Sequence, residues 1–468
     1  MRHLIWLLPS LLAAQTYDVV LHRGRVLDPE SGLDGVRDVG VTGKKIAAVS
    51  NARLKGKTEI DATGLVIAPG FIDPHSHGQT PENYRLKAMD GVTTALELEV
   101  GVWPVGSWYA EREGKSLINF GASAGHIPAR MAVMKDTGIF LPRDAAAKRI
   151  ATEEEKKTIL ADLEKGFDEG SLGMGLGLVY TPTASAEEVL DLFYFAARRK
   201  RPIFVHVRNT GLANPGIVES LQEVIANAAI SGASLHVVHI NSSSLTKTPE
   251  TIRIIEGARA RGLDVTTEAY PYIAGATALE SAQFEPGWQE QKGLTYSDLM
   301  WAATGERLNA QLFEKYRKQG GIVVIFQNTE EMVRTAIAHP IVMIGSDGIM
   351  EEGKGHPRAA GTYSRILGRY VREQKALSLM DAIRKASLMP ARRLEGMSAQ
   401  MRQKGRIKVG ADADISVFDA EHVIDKATFE KPAQYSEGFR YVLVGGTFVV
   451  RDGKLQDGVL PGQGIRAQ

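Results

Sequence analysis

Phe71-Ile72-Asp73-Pro74-His75-Ser76-His77 is the stretch on which the fold turns. A short apolar strand runs into a proline and then into His-x-His. Side chains two apart on a strand leave the same face. His75 and His77 therefore project together from the strand's C-terminal end, as imidazoles suited to a transition metal. Further strand-like runs lie at 93–99, 118–125, 172–178, 203–207, 235–239, 264–269 and 341–345, which brings the total to eight. Helical patterns separate them. Thr152-x-x-Glu155 predicts a capping box ahead of a stripe of Ile159, Leu163 and Phe167. Ser185-x-x-Glu188 predicts another helix start. Strands alternating with helices over residues 68–404 predict an α/β protein built as a (β/α)8 TIM barrel. An open doubly wound sheet is the alternative. Residues 280–320 read as an irregular, polar insertion able to cover a site.

Outside the barrel, both chain ends are rich in short strands. Residues 16–67 hold Tyr17–Leu21, Val36–Val41 and Lys45–Val49; residues 405–468 hold Arg406–Val409, Asp414–Phe418, Tyr441–Val444 and Thr447–Val450. They are expected to pair into one discontinuous β-sandwich domain. Residues 1–15 carry Arg2, an apolar run over 4–14 and the small pair Ala13-Ala14, the pattern of a signal peptide cleaved near Ala14. That run is too short to span a bilayer. The expectation is an exported chain, periplasmic or secreted, with no stable membrane anchor.

The chain has 468 residues, 56 Lys and Arg against 55 Asp and Glu, and no cysteine. A net charge of +1 argues against a nucleic-acid partner. Without cysteine, any metal rests on His, Asp, Glu or a modified Lys.

His206, His239 and Asp347 also stand where strand-like runs stop. Strand C-termini of a barrel converge on the face that carries active sites. The run Thr93–Val100 adds Glu97 and Glu99 to an otherwise apolar strand, and a buried carboxylate needs a partner. Glu99, nearer the strand's end, is the preferred ligand; Glu97 then needs a different buried partner. The predicted metal group is His75, His77, Glu99, His206, His239 and Asp347. His236, opposite in direction to Val237, is expected to pack outside the barrel. Gly173-x-Gly175-x-Gly177 opens no helix and precedes no Lys-Ser/Thr, so close strand packing is preferred to phosphate binding.

These residues, with the split β-segments, resemble the amidohydrolase superfamily, and within it the N-acyl-D-amino-acid deacylases (D-aminoacylases). The resemblance runs from about residue 17 to about 460, through Gly91–Thr94, Gly173–Tyr180, His206-Val-Arg-Asn209, Tyr270-Pro-Tyr272, His339–Gly348, His356-Pro-Arg358 and Pro390–Leu394. It implies one or two divalent metal ions, zinc foremost, and hydrolysis of a small-molecule N-acyl amino acid of the D series through a metal-activated water. Asp347 is the expected general acid/base. Arg208 and Arg358 are candidates for the substrate carboxylate, Tyr180, Tyr270 and Tyr272 for its oxygens, and His126 for the pocket wall. The chain departs from that family in two places. Its deacylases use a Cys ligand where this chain offers Glu99, and a Lys expected two residues after the second lone His is Asn241 here. Dipeptides, cyclic amides or lactones are the alternative substrates. A non-catalytic barrel would be expected to lose its ligands, and this chain keeps them.

Overall fold

The computed structural model describes residues 16–211 and 214–468; the predicted signal peptide lies outside the described residues. Eight parallel strands form the barrel: Phe71–Asp73, Val92–Val102, Asn119–Gly125, Met174–Gly177, Ile203–His206, Leu235–Val237, Val265–Ala269 and Val342–Ile344, paired in that order. The first and last meet beyond their ends. Ser76 bridges Gly348 in parallel, and the Asp347 N–H donates to the His75 carbonyl at 2.7 Å. Ile203, Val205, Leu235 and Val237 face the helical layer, packing among Val189, Leu192 and Leu221. Phe204, Ile72, Leu96 and Val238 fill a separate interior cluster, closed off by Leu394, Met401 and Ile465. Gly175 lies in this crowded barrel: a Cβ there would come 2.4 Å from the Glu99 carbonyl oxygen. The Thr152 capping box forms in both directions at the head of helix Glu153–Asp168.

His236 lies inside the barrel, against expectation. It stands opposite Phe204 in the strand register, and the two rings lie 5.3 Å apart. A parallel strand is apolar on both faces, so alternation alone does not say which face is inward.

Asp73 ties the closure together. Its carboxylate accepts from Lys87 Nζ at 2.5 Å, Ser346 Oγ at 2.6 Å and the Ser346 N–H at 2.9 Å, all buried. Removing one partner of a buried ion pair costs about 3–5 kcal/mol, because the other charge stays desolvated. Lys87→Met is expected to lower unfolding stability by about 3 kcal/mol in a urea titration. A loss below about 1 kcal/mol would show that Ser346 alone satisfies the carboxylate.

The two chain ends share one nine-stranded sheet. Its seam is Ile415–Phe418 running antiparallel to Val66–Pro69. A second apolar core, including Leu21, Val39, Ile67, Ile415 and Leu443, fills this domain. Two details differ from the sequence reading. Residues 406–409 form a loop, where Arg406 is held by Glu30 and Glu395 at 2.7 and 2.6 Å. The last residues leave the β-domain: Gly464 bridges Phe120, and Tyr109 Oη donates to the Ile465 carbonyl at 2.6 Å.

The insertion is ordered and wider than predicted. Strands Ala274–Ala278, Leu299–Trp301 and Ile322–Phe326 form an antiparallel sheet. Phe284, Trp288, Trp301, Phe313 and Tyr316 give it a core of its own. Its strands mostly lie outside the polar stretch, which hid them. No helix among the described residues is long and apolar enough to cross a membrane.

Candidate metal centre

Glu99 is the centre of the site. Its Oε2 lies 3.0 Å from His75 Nε2 and 3.1 Å from His77 Nε2. Its Oε1 lies 2.7 Å from His206 Nδ1 and 3.5 Å from His239 Nε2. Asp347 Oδ1 completes the first side, at 3.4 Å from His75 Nε2 and 3.2 Å from His77 Nε2. Two potential ligand groups result: His75, His77, Glu99 and Asp347, and Glu99, His206 and His239. In each, the ligand atoms lie within 4.8 Å of one another. Imidazoles and carboxylates at this spacing fit one or two divalent transition ions, with Glu99 shared between the halves.

The backbone delivers these groups at strand ends. His75 and His77 follow the first strand, Glu99 lies on the second, and His206 ends the fifth. His239 and Asp347 adopt left-handed φ values of 31° and 52°, uncommon outside glycine. Backbone bonds hold both: the His239 N–H donates to Glu268 Oε1 at 2.6 Å, and the Asp347 N–H to the His75 carbonyl.

Each imidazole of the His-x-His has a carboxylate behind it. His75 Nδ1 lies 2.9 Å from Glu268 Oε1, and His77 Nδ1 lies 2.8 Å from Glu97 Oε2. Glu97 thus finds its buried partner in His77. Outer carboxylates of this kind fix which ring nitrogen faces a metal. Charge coupling is strong. Burial opposes the imidazolium form of His75, yet Asp347 and Glu99 push its pKa up to about 10. Burial likewise opposes ionised Glu99, but His75, His206 and His239 hold it well below the usual carboxylate range. Burial and the His239 charge push His206 down to about 4. Asp347 is held low by Arg358 and His75 in spite of burial.

A cavity opens on this group. Tyr180, Tyr270 and Arg358 line it, as predicted candidates; Phe140 and Leu141 supply an apolar wall. The insertion contributes Thr277, Gln283, Ile322 and Ile325. Arg358 Nη1 lies 2.8 Å from Asp347 Oδ2, and the guanidinium stacks 4.6 Å over the Tyr270 ring.

Other candidates lie elsewhere. Arg208 is bound to Glu223 at 2.7 Å and to the Pro182 and Ala184 carbonyls at 2.9 Å, facing a neighbouring cleft. Tyr272 packs behind the cavity on His356 and Arg365, at 5.3 and 4.8 Å. His126 is buried against Glu188 at 3.0 Å, in a cluster with Arg130. Asn241 donates to the Tyr270 carbonyl at 3.1 Å. Sequence reading passed over Glu268. The signal that drew attention to Glu97 and Glu99, a carboxylate in an apolar strand, was present there too.

A parallel barrel with such a group at its strand ends is the framework of a metal-dependent hydrolase. The model of the Amidohydrolase family matches residues 58–124 and 149–450. The chain belongs to the amidohydrolase family. It is 30% identical to an N-acyl-D-glutamate deacylase of Alcaligenes xylosoxydans xylosoxydans, over 92% of this chain and 93% of that one. Among solved structures, N-acyl-D-glutamate deacylase of Bordetella bronchiseptica, complexed with zinc and a phosphonate inhibitor, superposes with a TM-score of 0.83. That identity is 27%, over 97% of this chain and all of the other. A D-aminoacylase described as having a binuclear metal centre matches with a TM-score of 0.82 at 25% identity, over 96% of this chain and all of the other.

Proposed function

We propose that the chain hydrolyses the amide bond of N-acyl amino acids of the D series, small molecules bearing a free carboxylate. The observation that carries this reading is Arg358 beside the Glu99-centred group. It is a buried guanidinium that pairs with Asp347 through Nη1 at 2.8 Å, whose Nε has no hydrogen-bond partner among the described residues, and it lines a cavity whose other side chains, apart from the ligand group, are neutral. Guanidinium grips a carboxylate through paired bonds. His75, His77, Glu99, His206, His239 and Asp347 would hold one or two divalent ions, zinc foremost, as in the Bordetella relative. When bound, such an ion supplies Lewis acidity to a carbonyl and acidifies water.

The chain's own groups do the rest. The Asp347 carboxylate accepts the proton of the attacking water and passes it to the leaving nitrogen. Tyr180 Oη accepts from Thr277 Oγ1 at 3.1 Å, which leaves its own hydrogen free for the oxygen that gains charge in the transition state. Burial and the Glu99 charge raise the Tyr180 pKa, so the phenol keeps that hydrogen. Phe140, Leu141, Ile322 and Ile325 favour an apolar acyl group or side chain. Export belongs to the same reading and is supported by Arg2 and the apolar run at 4–14.

The test is a panel of N-acyl D- and L-amino acids, with the matching amides that lack a carboxylate. The protein is taken from the exported fraction and its intact mass is measured. Turnover of D-substrates, a KM raised at least ~10-fold by Arg358→Met, and a mass corresponding to cleavage near Ala14 are expected. Equal turnover of carboxylate-free amides would overturn the substrate assignment, and an uncleaved intracellular chain would overturn export.

A further inference from the structure

We infer that Glu268 is a positioning residue shared by both halves of the metal group, setting the ring of His75 and the backbone of His239 through one carboxylate oxygen. Glu268 lies on the seventh barrel strand, Val265–Ala269, and is buried. Its Oε1 meets His75 Nδ1 at 2.9 Å and accepts the His239 N–H at 2.6 Å. Its Oε2 is engaged by His236 Nε2, and His236 Nδ1 lies 2.7 Å from Thr266 Oγ1. Both oxygens are thus taken up inside the barrel, and Glu268 stands outside both ligand groups.

The two bonds to Oε1 do different work. The first holds a proton on His75 Nδ1, so that when a metal displaces the proton on Nε2 it is the Nε2 lone pair that is offered on the side of Glu99 and Asp347. The second holds the peptide of His239, whose left-handed φ of 31° is costly for a residue other than glycine. His75 belongs to one half of the ligand group and His239 to the other. His236, in turn, fixes the carboxylate from below. His236 and Glu268, interior residues of neighbouring strands, therefore form the middle of a chain, Thr266–His236–Glu268–His75, that ends at the site.

Glu268→Ala, Glu268→Gln and Glu268→Asp separate this from a merely structural role. The glutamine is isosteric. Its amide oxygen can take both Oε1 bonds, while its NH2 donates to His236 Nε2 once His236 carries its proton on Nδ1. The aspartate keeps the charge and falls a methylene short. Metal affinity is read by chelator competition on metal-free protein, and the protected His75 Nδ1–H by NMR of the zinc-loaded form. Expected are an affinity loss of about 10–100-fold in the alanine and aspartate variants, with the NMR signal lost, and near-parental values for the glutamine variant. Alanine binding as tightly as the parent overturns the proposal, as does aspartate outperforming glutamine. If the alanine variant does not fold, the glutamine–aspartate order decides. These readouts concern metal binding alone, so a failure of the proposed substrate class leaves them intact.

Discussion

Asp347→Asn is expected to cut kcat by roughly 10²–10⁴-fold while leaving the fold and the metal content near those of the parent. The carboxamide keeps the size of the side chain and one oxygen toward His75 and His77, now 3.4 and 3.2 Å from Oδ1. It cannot accept a proton from water. The pH behaviour follows from the charges around it. Arg358 and His75 overcome burial and hold the Asp347 carboxyl below the usual carboxylate range. A depressed pKa keeps the base ionised across neutral and mildly acidic pH, so no activity should be lost through Asp347 itself between about pH 5 and 8. An acid limb in that window would instead report protons competing for the imidazoles. His75 favours that competition, since the metal-free site pushes it up to about 10 and a metal must displace its proton. Steady-state kinetics with metal analysis on the same sample checks this. Unchanged kcat in Asp347→Asn would remove Asp347 from proton transfer.

Much of the barrel was legible because its signals are local. Apolar runs at regular spacing mark strands whatever they pack against, and His75, His77, His206, His239 and Asp347 stand at or just after their ends. Glu99 was legible because a carboxylate in an apolar strand demands compensation. What escaped depends on neighbours distant in sequence. Arg208 and His126 have the right chemistry for a pocket, but Glu223 and Glu188 claim them first. Tyr272 is two residues from Tyr270, yet its ring turns to His356 instead of the cavity. His236 was misplaced because both faces of a parallel strand look alike until the register with Phe204 is known. The insertion's strands pair across an interval of about fifty residues, and no local periodicity announces such pairing.

Glu99→Ala is expected to strip metal from both halves of the site together and to abolish turnover. Two readings of the strand 92–102 compete. In one, either carboxylate could serve, and losing one leaves the other. The geometry separates them: Glu99 alone reaches all four imidazoles, through two different oxygens. Glu97 touches only His77, and on Nδ1, the nitrogen turned away from the group. Losing Glu97 therefore removes an orienting partner, worth about 10–100-fold in affinity on the His77 side, while ligands for both halves remain. Losing Glu99 removes an anion from each half at once. His75 and His206 would then face one another's sites with no carboxylate between them. Asp347 would remain as the one carboxylate ligand, on one side only. Metal analysis of Glu97→Ala and Glu99→Ala after dialysis against a weak chelator makes the comparison. If Glu97→Ala empties the site and Glu99→Ala does not, the shared ligand is misassigned. If Glu99→Ala keeps ions on the His206–His239 side, the two halves are independent sites, without a shared glutamate coupling them.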